Sequence, residues 1–154
     1  MTDVEVTGEP VSRFSRREIG AFTRQVLLAL EKMGRIPEDL SDVSIAFVTD
    51  ETMTGLNRRF RKKAKTTDVL TFPTDDSYVE PMQGGERKGR PLGDIVISVE
   101  QARRQAAEQK HSVATEVRYL ILHGILHALG YDHETDRGEM NALEIEAREV
   151  LGLE

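Results

Sequence analysis

Three of the chain's four histidines fall in one short segment, HGILHALGYDH, running from His123 to His133. His123 and His127 are four residues apart, so on a helix they project from one face and their imidazoles can meet at one metal ion. Gly130 lets the chain turn after the helix, and His133 can approach the same ion from that turn. Three nitrogen donors leave a fourth coordination position open, the arrangement of a catalytic zinc; structural zinc sites close all four. An ion held this way lowers the pKa of a bound water to about 7 and polarises a carbonyl or phosphoryl oxygen. The chemistry to expect is hydrolysis, with one zinc per chain. The setting agrees: Tyr119 to Leu129 is otherwise apolar, and imidazoles buried there without partners would be costly.

The rest of the composition narrows the donors. The chain has no cysteine, which excludes disulfides, thiolate zinc sites and a cysteine nucleophile. The spacing HxxxHxxGxxH also matches the metzincin peptidases, but those carry HExxH with the glutamate as general base. Here Gly124 holds that position, and a glycine takes no proton from water. A peptidase would need a base from elsewhere, such as Glu116, two turns before His123 on the same face. Its place near a helix start suits a solvent-exposed acid. Asp132 reads as a second partner of a ligand histidine or as a turn residue. His111 reads as a surface histidine, Asp68 and Asp94 as turn or cap residues, and Tyr131, Phe60 and Phe72 as packing.

The elements that must hold this segment are legible in outline. Val4 and Val6 alternate with acids, as in a short edge strand. Ser15 is an N-cap for a helix to Met33, with Ile19, Phe22, Val26, Leu27 and Leu30 at helical spacing and Gly34 as the stop. Val43 to Val48 alternates and is β-branched, which predicts a strand. Asp50 caps a helix through about Phe60. Asp68 to Phe72 is a strand ended by Pro73. Thr74 to Pro91 is a long polar loop with the composition of a mobile segment. Gly93 to Ser98 is a strand, Val99 to about Lys110 an exposed helix, and Ser112 caps the histidine helix to Leu129. A final helix spans Thr135 to Leu151. The expected fold is α+β: one domain over residues 1–154, with a small mixed sheet of about four strands and helices packed on it.

Length and charge bound the class. The chain has 154 residues, 38% of them hydrophobic, and a formal net charge of −6. A polyanionic partner must therefore meet a local positive patch, and Arg58-Arg59-Phe60-Arg61-Lys62-Lys63-Ala64-Lys65 is such a run. The acidic N-terminal residues lack the apolar core of a secretory signal, and Tyr119 to Leu129 is too short to span a bilayer. The expectation is a cytoplasmic protein with no membrane association.

The histidine segment closely resembles the signature of the YbeY family of ribosomal RNA maturation factors. Leu56-Asn57, Phe60-Arg61, the run Thr67 to Pro73 (TDVLTFP) and Gly93-Asp94-Ile95 resemble the same family. The resemblance covers most of the chain, leaving out the glycine-containing loop and both termini. It implies a bacterial-type, zinc-dependent, single-strand-specific endoribonuclease. Such an enzyme acts on ribosomal RNA at the small subunit, notably at the 3′ end of the small-subunit RNA, and in ribosome quality control. It also implies His123, His127 and His133 as zinc ligands and Arg61 as the functional arginine. A guanidinium at Arg61 can bind a scissile phosphate and stabilise charge developing on it. Two other readings stand beside this one: a metallopeptidase-like hydrolase, and a non-catalytic ribosome-assembly module whose metal is structural.

Overall fold

The computed structural model describes residues 3–8, 14–36, 40–61, 69–73, 90–130 and 137–153. Of the loop expected from Thr74 to Pro91, residues 74–89 lie outside the described residues, and Arg90 and Pro91 belong to a strand instead; His133, Asp132, Tyr131, Asp68 and the run 62–65 also lie outside, as do the side chains of Phe60, Arg61 and Phe72.

Among the described residues, nine elements follow in chain order: β1 (Asp3–Thr7), α1 (Arg16–Lys32), β2 (Leu40–Val48), α2 (Asp50–Arg61), β3 (Val69–Pro73), β4 (Arg90–Ser98), α3 (Val99–Gln109), α4 (Val113–Ala128) and α5 (Glu139–Leu151). The strands form one four-stranded sheet in the order β1-β2-β4-β3. β1, β2 and β4 run parallel, and β3 lies antiparallel to β4 at one edge. The mixed α+β sheet of about four strands expected from the sequence is what forms.

The sheet's two faces are buried unequally. Val43, Ile45 and Phe47 of β2, with Ile95 and Ile97 of β4, enter a large core with Ile19, Val26 and Leu30 of α1 and Ile121 and Ile125 of α4. The intervening Val96 faces the other way and packs with Met53 of α2. Alternation along a strand, period two, produces this division. β4 is therefore covered on both sides, as a central parallel strand requires.

Local signals start α1 and α4 where the sequence predicts. Ser15 and Glu18 form a reciprocal capping box, the Glu18 N–H donating to the Ser15 hydroxyl at 3.1 Å and the Ser15 N–H donating to the Glu18 carboxylate at 3.0 Å. The Ser15 backbone bond first, and the Ser15 hydroxyl second, hold the Glu18 carboxyl below its ordinary pKa. Ser112 caps α4 by accepting from the Thr115 N–H at 3.1 Å. At α2 the cap differs from expectation. The Thr49 hydroxyl accepts from the Thr52 N–H, and Asp50 sits inside the first turn. There it accepts from the Ser98 hydroxyl and from Arg104, each at 2.6 Å. This ties the start of α2 to the start of α3. α5 begins at Glu139 rather than Thr135, because Gly138 at φ 101° takes the cap position in a conformation no helix continues through.

α4 crosses the sheet at very close range. A Cβ built on Gly124 would lie 2.6 Å from Cγ2 of Ile95 and 3.3 Å from its Cγ1. Ile95 is fully buried and β-branched, so its Cγ2 does not swing aside cheaply. The glycine is what allows this helix and strand to touch.

Two stability predictions follow from these contacts. Gly124→Ala gains about 1 kcal/mol of helix propensity but overpacks a rigid contact, a loss of about 1–3 kcal/mol. The net expectation is a lower urea midpoint; a raised midpoint would show that Ile95 yields. Ser15→Ala should cost about 0.5–2 kcal/mol. The depressed Glu18 pKa contributes stability above the unfolded glutamate pKa, and that contribution is lost as pH falls through the folded value. The gap between wild type and Ser15→Ala should therefore narrow in acid, as checked by urea unfolding across that range.

Candidate metal centre

α4 turns its apolar sides to the sheet and core, with Val117, Ile121, Gly124 and Ile125 buried. His123 and His127 project from the remaining side and are half-buried. Their ring centroids lie 4.6 Å apart at an interplanar angle of 70°, and the two Nε2 atoms are 3.1 Å apart. Two imidazoles bound tetrahedrally at about 2.0–2.1 Å place their nitrogens about 3.3 Å apart. The pair thus converges at nearly the separation one ion needs, and the donor set suits zinc and other first-row ions.

The Nδ1 of His123 faces Oε1 of Glu144 at 3.4 Å. A carboxylate at that position favours the His123 tautomer that carries its proton on Nδ1. Its Nε2 is then an acceptor, turned toward His127.

The other expected site residues divide as follows. His133 lies outside the described residues, and among those residues no group of three metal-ligating side chains converges. Gly130, which should turn the chain back toward the site, has φ 104°, and its N–H donates to the His127 carbonyl at 2.9 Å. Arg61 is the last residue of α2.

Two expectations are corrected. Glu116 is not a solvent-exposed acid but is 7% exposed. His111 is not an ordinary surface histidine: its Nε2 lies 2.7 Å from Glu116 Oε1, and its ring meets Tyr119 edge-on at 5.4 Å. The turn between α3 and α4 folds His111 back over the first turn of α4, and the imidazole supplies the partner that lets the carboxylate be buried. Sequence reasoning missed Glu144 altogether. A cavity of about 380 Å³ joins these groups, lined by His111, Glu116, Tyr119, His123, Glu144 and Arg148 among others.

Comparison with known proteins extends the likeness well beyond the histidine segment. Residues 6–152 match the family described as endoribonuclease YbeY. An endoribonuclease YbeY of Nautilia profundicola is 49% identical over 112 residues, covering 73% of each chain. One from Bacillus cereus is 39% identical over 141 residues, covering 90% of each chain. The solution structure of a Thermotoga maritima protein matches with a TM-score of 0.57 at 26% identity, covering 97% of this chain and 89% of that one. The match takes in the strands and helices that carry α4 as well as the segment that holds the histidines, and at this identity and breadth the chain belongs to the endoribonuclease YbeY family.

Proposed function

We propose that this chain is a zinc-dependent, single-strand-specific endoribonuclease. Its substrate would be ribosomal RNA at the small subunit, with roles in maturing the 3′ end of the small-subunit RNA and in ribosome quality control. Such a substrate places the protein in the cytoplasm. The observation that carries the metal reading is the convergence of the His123 and His127 Nε2 atoms to 3.1 Å on an otherwise apolar helix. His133 would complete the ligand set.

When bound, the ion would acidify a water and draw charge from a phosphoryl oxygen. The chain's own residues do the rest. The helix carrying His123 and His127 is set against the sheet at Gly124, which fixes where both side chains leave the backbone. Arg61, at the end of a helix whose start is held by Ser98 and Arg104, would grip the phosphate oxygens and stabilise charge developing on them. The exposed Arg58 and Arg59 add positive charge along the same helix, where an RNA backbone would be drawn.

Peptide hydrolysis finds less support. Position 124 has no room for the missing glutamate, and Glu116, the substitute base, is engaged by His111.

Elemental analysis of untagged protein should find about one zinc per chain, lost in His127→Ala. Wild-type protein that holds no metal and takes none up would remove the catalytic reading and favour an RNA-binding assembly module. Arg61→Ala should keep its zinc but lower kcat/KM on single-stranded RNA by about 10²–10³. Undiminished cleavage would take Arg61 out of the mechanism. The ends of the products separate two routes, attack by water and attack by the RNA 2′-OH.

A further inference from the structure

We propose that Glu144 is a positioning residue for His123, an inference that rests on the metal reading above. Met140, Leu143 and Ala147 are buried and seat α5 in the core, which leaves Glu144 facing α4. Its side chain is 14% exposed, and its Oε1 lies 3.4 Å from Nδ1 of His123. A carboxylate there favours the Nδ1–H tautomer, biases the ring toward this orientation and leaves the Nε2 lone pair turned to the metal position.

Glu144 is itself held. Nη2 of Arg148, one turn later on α5, lies 3.7 Å from the same Oε1. The Arg148 guanidinium lies 4.4 Å over the ring of Tyr119, one turn before His123 on α4. Arg148 Nε is buried with no hydrogen-bond partner among the described residues, and the guanidinium packs on the tyrosine ring. Tyr119, Arg148, Glu144 and His123 thus form a closed path linking α4 to α5. At 3.4 Å the last link is longer than a charge-assisted hydrogen bond of about 2.7–2.9 Å. Glu144 therefore guides the imidazole rather than clamping it, and its loss should weaken metal binding without abolishing it.

Glu144 is set apart from the substrate by the same geometry. It contacts Nδ1, whereas His127 meets the opposite edge of the ring at Nε2. The cavity on the Nδ1 side is lined by Glu144 beside Arg148 and by Glu116 against His111, so its charged groups are engaged with one another.

The test compares zinc affinity, by competition with a chromophoric chelator, in wild type, Glu144→Gln and Glu144→Ala. The alanine variant should still bind one zinc, with a Kd weakened about 10–100-fold. Glutamine keeps an acceptor oxygen and should recover part of the loss. Nitrogen-15 NMR of the metal-free proteins provides a second readout. His123 should carry its proton on Nδ1 in wild type and Glu144→Gln, and be a tautomer mixture in Glu144→Ala. Unchanged zinc affinity with a lowered melting temperature would make Glu144 a structural contact only and overturn the proposal, as would an Nε2–H tautomer of His123 in wild type. Wild-type protein that binds no zinc would overturn the metal reading as well, which distinguishes the two failures.

Discussion

The contact between Gly124 and Ile95 sets the position of everything around the histidines. α4 lies so close to β4 that a single Cβ at residue 124 would enter the Ile95 side chain. Once that side of the helix is against the strand, the neighbouring side carrying Glu116, His123 and His127 is turned along the flank of the helix rather than into the contact with β4. The glutamate of an HExxH motif would fall at this contact. Its absence is therefore a packing requirement of the fold as well as a chemical statement. A helix that approaches the sheet this closely must do without a side chain at the residue following its first histidine, so a proton acceptor has to come from another element or from the substrate.

The exposure of the histidine pair is a compromise between two demands. Buried imidazoles would be rigid but unreachable by a polyanion, and desolvating them without a partner would cost several kcal/mol. Fully exposed rings would be reachable but free to rotate, and ordering them would cost side-chain entropy at each binding event. Half-burial, with Nδ1 of His123 backed by a carboxylate and Nε2 facing its neighbour, keeps the rings ordered and one edge open. The buried sides of α4 supply the stability for this arrangement, since its valines, leucines and isoleucines lie in the main core.

What the sequence reveals and what it hides follow from the range of the interactions. The capping box at Ser15, the cap at Ser112, the alternation in β2 and the HxxxH spacing all act within a few residues, so each is readable from its own segment. Glu144 lies 21 residues from His123, and the hydrophobic stripe of α5 does not say which polar residue beside it will meet α4. That depends on how two helices dock. Asp50 shows the same limit. Its type and position suggest a cap, yet its carboxylate binds Ser98 and Arg104, 48 and 54 residues away. Glu116 and His111 are only five apart, but their burial depends on the turn that folds one over the other. Burial of a charged residue is a property of its partner, and partners are what a linear reading supplies least well.

The distribution of charge completes the case for where a nucleic acid must approach. A chain with net charge −6 repels RNA at long range, so binding depends on a local positive surface and the counterions it displaces. The flank of α4 between α3 and α5 is unsuited to this, because Glu116 and Glu144 both line it. α2 has the opposite character. Its first turn is acidic, with Asp50 and Glu51, and Arg58, Arg59 and Arg61 fall in its last turns, an order that also complements the helix dipole. Asp50 is bound to Ser98 and Arg104 within the protein, while Arg58 and Arg59 near the basic end are exposed. Among the described residues, the exposed positive charge of α2 thus lies in its last turns, and the carboxylates of Glu116 and Glu144 lie apart from it on α4 and α5.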